Sequence, residues 1–238
     1  MKSFGNAATP VLDDINLDVA AGELLCLIGA SGCGKSTLLN LIAGLDRPSA
    51  GRISVDGGHA ALMFQESALF PWLTAAGNVE LALRLRQAPV PKAERREEAR
   101  RLLSLVRLDG AADKRVHELS GGMRQRVAMA RALAQNSAVL LMDEPFAALD
   151  AITRDVLHEE LVKLWEETQL TVIFVTHNVR EAARLGQRII LLSSRPGRIA
   201  REWRVDIPQP RRIEDADVTA LTREITAELH KEISRHGN

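Results

Sequence analysis

Neither sign of charge is in excess in this 238-residue chain: Lys+Arg and Asp+Glu each number 31, for a net charge of zero. No overall electrostatic pull toward nucleic acid or anionic lipid follows. Cysteine is scarce, with 2 in the chain. Cys26 lies in an apolar run and Cys33 in a glycine-rich loop, which agrees with a reducing compartment. No apolar run approaches the ~18–20 residues that a membrane-spanning helix needs. The N-terminal Met1-Lys2-Ser3-Phe4-Gly5-Asn6 lacks the apolar core of a signal peptide, so a cytosolic protein is expected. The 6 histidines show no metal-ligand spacing, and no zinc site is expected. Internal repeats and low-complexity linkers are absent as well. What remains, 46% hydrophobic and 26% charged residues, is ordinary for a soluble globular protein with one large core, or one core with a smaller satellite.

The most informative stretch is Gly29-Ala30-Ser31-Gly32-Cys33-Gly34-Lys35-Ser36-Thr37. The apolar Leu24–Ile28 leads in as a buried strand, and Leu38–Ala43 leads out as a helix, the context a phosphate-binding loop requires. Its glycines let the backbone approach an anion closely, and the N–H groups of the first helical turn point at that anion. Lys35 is placed for the β- and γ-phosphates and the Ser36 hydroxyl for Mg²⁺. Cys33, beside the phosphates, is either an oxidation target or, more commonly for such a cysteine, a small filler.

Along the chain, alternation at Val11, Leu12, Ile15, Leu17 and Val19 before the turn at Gly22 suggests a β-hairpin-like, antiparallel element feeding the central strand. Gly44 and Pro48 end the loop helix. Gly51–Gly58 reads as a short strand with a tight turn, and Ala61–Phe64 as another that delivers Gln65. From Ser67 to about Leu133 the pattern turns helical, with the mixed charge run Lys92–Arg101 as a solvated helix face. Buried strands resume at Val139–Met142, Thr171–Val175 and Ile189–Leu192, separated by helices. The fold class is therefore α/β, a P-loop NTPase core with a mostly parallel sheet, an N-terminal antiparallel β element and an inserted helical subdomain. After Pro208 and Pro210 a final helix, capped by Asp215 or Asp217, aligns Val218, Leu221, Ile225, Leu229 and Ile233 on one stripe; it packs on its own domain or on a partner subunit.

In parallel sheets functional groups gather at the carboxyl ends of strands. Here those ends carry the phosphate loop, Gln65, Asp143-Glu144 and His177. Asp143 can hold a magnesium-bound water while Glu144 acts as the general base that orients the attacking water. His177 can touch the γ-phosphate or couple it to Glu144, and Gln65 can ligate Mg²⁺ or orient water; each alone also reads as an ordinary strand-end residue. Ser120-Gly121-Gly122 is a second anion cradle, an N-cap with paired glycines opening a helix. Far in sequence from the first loop, it invites closure on another copy's nucleotide.

Taken in order, the phosphate loop, Gln65, Leu119-Ser120-Gly121-Gly122, Met142-Asp143-Glu144-Pro145, Ala148-Leu149-Asp150 and His177 resemble the motif series of ATP-binding-cassette (ABC) ATPase subunits over nearly the whole chain. The resemblance implies a head-to-tail homodimer sandwiching two ATP molecules with Mg²⁺. It puts the Walker A role on Gly29–Thr37, the Q-loop role on Gln65 and the signature role on Ser120–Gly122, acting across the dimer. The Walker B metal role falls on Asp143, the catalytic base on Glu144, the D-loop on Asp150, the switch on His177, and adenine stacking on Phe4. Family members usually have a first strand before the stacking aromatic; only Met1-Lys2-Ser3 precede Phe4, so the strand is missing or the start lies upstream. Met123 replaces the commoner glutamine of the signature.

Finer matches, Leu69–Thr74, Asp143–Asp150, Phe174–His177 and Leu192–Ile199, are similar to the nitrate/sulfonate/taurine importer branch. They imply uptake of a small anionic solute, separate membrane permease subunits touching Gln65 and the Ser67–Asn78 stretch, and a periplasmic or lipid-anchored solute-binding protein. The chain would sit at the cytoplasmic face of a bacterial membrane and bind no nucleic acid. The expected organisation is one ABC ATPase domain: an α/β core (1–66 and 135–204), a helical subdomain (67–134) and a helical tail (205–238). A soluble non-transport ABC ATPase is the alternative from another class, disfavoured by the lack of a coiled-coil insertion or a second cassette. An exporter subunit is disfavoured by Pro71-Trp72 and Arg195–Arg198, and a small GTPase by the missing Asn-Lys-x-Asp motif.

Overall fold

A computed structural model describes residues 1–4, 9–86 and 88–236, so part of the N-terminal stretch read for a signal core (residues 5 and 6) lies outside the described residues. Six strands form one sheet in the order β2-β3-β4-β1-β5-β6: β1 (Leu24–Gly29), β2 (Ala60–Met63), β3 (Val139–Asp143), β4 (Thr171–Val175), β5 (Arg188–Leu192) and β6 (Ile199–Arg204). All neighbours run parallel except β5 and β6. The apolar runs are continuous because both faces are covered. Leu25 and Leu27 face α1 (Lys35–Ile42) together with Leu141, Ile173 and Ile190. Leu24, Cys26 and Ile28 point the other way, into the larger core shared with the remaining helices.

Within that larger core α2 (Ala75–Leu85), α3 (Arg95–Leu105) and α4 (Gly121–Leu133) pack on one another through Val79, Leu83, Leu102, Leu103 and Val127. The charge run is the outer face of α3, with Glu98 gripping Arg101 at 2.7 Å. α5 (Ala151–Thr168) and α6 (Val179–Leu185) follow β3 and β4. The tail helix α7 (Ala216–His236) folds back on α6, burying Val218 and Ile225, half-burying Leu221 and Leu229 and leaving Ile233 exposed. No helix among the described residues is long and apolar enough to cross a membrane.

Three segments depart from expectation. Residues 11–23 keep the alternating burial of Val11 to Val19 but form no hairpin; the antiparallel pairing comes down to one bridge, Lys2 with Leu12. Asp14, at φ 46°, turns the chain there, so the alternating side chains reach the core without a strand ladder. At Gly51–Gly58 the tight turn is present (Gly58 N–H to Val55 O, 2.9 Å) but the strand is not. Conversely, β6 was not expected. Its sequence, Ile-Ala-Arg-Glu-Trp-Arg, buries only Trp203 fully, as suits a charged edge strand.

Candidate functional site

The glycine-rich loop joins the end of β1 to α1. Gly34, at φ 105°, is the N-cap residue of α1 and offers no side-chain cap, so the first-turn N–H groups stay available to an anion. A Cβ at Gly34 would come within 2.6 Å of Leu12 Cδ2. The Lys35 ammonium is buried at the loop's mouth, donating to the carbonyls of Gly29 (2.8 Å) and Ala30 (3.0 Å). Cys33 is fully buried under the loop, and burial pushes its thiol pKa up against the opposing pull of Lys35. That is the behaviour of a filler rather than of a reactive thiolate. Arg195 lies at the rim, its Nη2 3.5 Å from where a Gly32 Cβ would stand. Gly197 packs beneath, its N–H bonded to Val11 O at 2.8 Å.

The carboxylates at the end of β3 stand beside the end of β4, which leads to His177, because the two strands pair in register, Asp143 opposite Val175. Burial raises the Asp143 pKa, and the Glu144 charge adds to that; the neighbouring Ser36 side chain and the Lys35 charge act the other way. A half-buried carboxylate with a neighbouring hydroxyl offers two hard oxygen donors, a donor set that fits Mg²⁺. Glu144 turns out of the sheet at φ 44°, a left-handed conformation costing about 1–2 kcal/mol in a residue with a Cβ. Its N–H is anchored on Val175 O (3.0 Å), and its Oε2 lies 2.9 Å from His177 Nδ1. The pairing of Glu144 with His177 is therefore formed.

Gln65 follows β2 with its side chain exposed, and among the described residues it makes no hydrogen bond to Ser36, Asp143 or Glu144. Its backbone is instead held by α4. Gln125 Nε2 donates to Gln65 O at 2.8 Å, and Arg131 donates to Ser67 O (2.8 Å) and Ala68 O (2.6 Å). Phe4 is half exposed, with Lys2 Nζ 4.7 Å from its ring centroid.

Ser120 is the N-cap of α4, its Oγ accepting from Met123 N–H at 3.2 Å. Gly121 and Gly122 lie against the start of α5, where Asp150 is the N-cap and accepts from Thr153 N–H at 3.0 Å; that bond lowers the Asp150 pKa. Among the described residues no hydrogen bond joins Ser120–Gly122 to Gly29–Thr37 of the same chain. A Cβ at Gly122 would stand 2.6 Å from Thr153 Cγ2. Gly122→Ala should therefore cost about 1–3 kcal/mol of unfolding free energy, as overpacking does. Adding Thr153→Ser, which removes that methyl, should recover most of the loss in urea titrations; no recovery would show that the contact is not the cause.

Sequence reasoning missed Gln125, Arg131, Thr153 and Arg154, whose Nη2 donates to Leu149 O at 2.8 Å. All four act on backbone carbonyls or on a glycine across elements, and no local spacing signals that.

The family model described as ABC transporter matches residues 12–147. The chain is 46% identical over 213 residues to the taurine import ATP-binding protein TauB of Pseudomonas putida, covering 87% of this chain and 80% of that one. It is 47% identical over 204 residues to the nitrate import ATP-binding protein NrtD of Synechocystis sp., covering 83% and 76%. A solved dimeric ATP-binding cassette in a post-hydrolysis state, bound to ADP and Pi, superposes with a TM-score of 0.72 at 35% identity, covering 87% of this chain and 95% of the other. The chain thus belongs to the ABC transporter family, as an ATP-hydrolysing subunit similar to those of the taurine and nitrate importers.

Proposed function

We propose that this subunit powers uptake of a small anionic solute, an aliphatic sulfonate such as taurine or else nitrate, by hydrolysing ATP as one half of a head-to-tail homodimer. The observation that carries the catalytic part is the 2.9 Å contact of His177 Nδ1 with Glu144 Oε2, one residue on from Asp143. Glu144 takes the proton of the attacking water, and His177 orients that carboxylate and reaches toward the γ-phosphate. Lys35 and the N–H groups of Gly29–Thr37 hold the phosphates. Ser36 and Asp143, with Gln65 closing in, would hold Mg²⁺, which when bound neutralises charge on the β- and γ-phosphates. Ser120, Gly121 and Gly122 of a second copy cover the γ-phosphate face, with Asp150 at the joint, and Phe4 stacks on the adenine. The dimeric solved relative supports this assembly.

The same reading keeps the division into an α/β core (1–66, 135–204), a helical subdomain (67–134) and a tail (205–238). The permease subunits dock on the helical subdomain near Gln65. Support comes from Trp72, 66% exposed, and Phe64, 46% exposed. The loop presenting Trp72 is stiff: buried Asn78 accepts from Phe70 N–H at 2.8 Å and donates to Thr74 O at 3.0 Å. The complex lies on the cytoplasmic face of a bacterial membrane and takes solute from a dedicated binding protein. The names of the relatives support the solute class. Vesicles holding this subunit with the membrane and solute-binding proteins that co-purify with it should accumulate labelled taurine, another alkanesulfonate or nitrate only with ATP inside. ATP-driven uptake of none of the three would overturn the solute assignment.

A further inference from the structure

Beneath the carboxylates lies a buried polar cluster that the chemistry above leaves unexplained. Thr176, His158 and Glu181 are 2%, 1% and 6% exposed. Thr176, directly before His177, donates its hydroxyl to Glu181 Oε2 at 2.5 Å and accepts from Asn178 N–H at 2.9 Å. The other carboxylate oxygen of Glu181 faces Arg154 Nε at 3.5 Å and His158 Nε2 at 3.6 Å. Arg154 in turn donates to the carbonyls of Phe146 (3.3 Å) and Leu149 (2.8 Å), bracketing the turn that runs from Glu144 to Asp150. His158 stands edge-on to Phe146, ring centroids 5.5 Å apart. Burial opposes ionisation of Glu181, but the Thr176 hydrogen bond and the neighbouring His158 and Arg154 outweigh it and hold its carboxyl below the usual range.

A buried ion pair adds little stability over well-packed apolar side chains of the same volume. Stability alone therefore gives a poor reason for this arrangement, whereas geometry gives a direct one. One oxygen of Glu181 holds the strand end that presents His177. The other, through Arg154, holds the turn that begins at Glu144 and ends at Asp150. We propose that Glu181, with Arg154 as its arm, is a positioning residue for hydrolysis that sets the Glu144–His177 contact and keeps the Asp150 turn in step with it. This rests on Glu144 being the base. A displacement of about 1 Å at reacting groups can cost 10²-fold in rate, so the expected loss falls on turnover and not on ATP binding.

The test uses the full chain carrying Glu181→Gln, Arg154→Met or both, with Glu144→Gln assayed in parallel. Glu181→Gln keeps an acceptor for Thr176 but removes the charge that holds Arg154. Arg154→Met leaves the Glu181–Thr176 bond intact and serves if the first variant does not fold. Each single variant should lower kcat about 10-fold or more while the KM for ATP stays within about twofold, and the double variant should fall little further, as members of one unit do. Single variants with wild-type kcat, a rise in KM alone, or losses that multiply in the double variant would overturn the proposal. If Glu144→Gln itself turns over normally, the assignment of the base fails; if it is inert while the Glu181 and Arg154 variants run at the wild-type rate, only the positioning role fails.

Discussion

Glu144→Gln should lower steady-state ATP hydrolysis by about 10²–10⁴-fold, the range a positioned general base contributes, while ATP binding persists and dimers accumulate. The amide has the shape of the carboxylate and can still meet His177 Nδ1, which lies 2.9 Å from Oε2 in the native protein. It cannot take a proton from water. The left-handed backbone at Glu144, anchored to Val175, is unaffected by the exchange. Loss of rate therefore reports on proton transfer and not on a collapsed turn. Phosphate release, equilibrium ATP binding and size-exclusion chromatography with ATP separate the three effects. Turnover within a few-fold of wild type would remove Glu144 from the role of base.

Ser120→Arg should abolish ATP-driven dimerisation, and hydrolysis with it, while the monomer binds ATP with affinity unchanged within about twofold. Ser120–Gly122 abuts Leu149 and Thr153 of its own chain, and no hydrogen bond among the described residues ties it to its own phosphate loop. A long cation there would fill the surface that the proposed dimer turns toward another copy's nucleotide. The variant also deletes an N-cap, worth about 1 kcal/mol, so Ser120→Ala is the control. It loses the same bond to Met123 N–H but adds no bulk, and it should still dimerise. If both variants dimerise with ATP as the wild type does, the cradle does not close on a second copy.

Legibility in the sequence followed the range of the interactions. The loop could be read because strand, glycines, lysine and helix are contiguous; the structure has Gly34 as the N-cap of α1 and Lys35 Nζ on the Gly29 carbonyl at 2.8 Å. The meeting of Glu144 with His177 followed from both residues lying just past the carboxyl ends of the paired strands β3 and β4. Residues 11–23 misled because alternating burial is necessary for a strand but does not supply a partner. β6 escaped notice for the opposite reason, since an antiparallel edge strand needs pairing from β5 more than it needs apolar alternation. The clamps on backbone carbonyls, by Gln125 and Arg131 on the Gln65–Ala68 segment and by Arg154 on the Asp150 turn, leave no periodic trace in the chain.

The place of β1 in the sheet has a consequence for biosynthesis. Both of its hydrogen-bonding neighbours come from the far end of the chain, Leu24 pairing with Val172 and Leu25 with Arg188. A ribosome that has delivered the first half of the protein has delivered every residue of the nucleotide loop but neither strand that holds it in shape. Such non-local closure is slow and leaves apolar strands exposed meanwhile. The sheet that frames the loop can therefore close only once residues up to 192 are available.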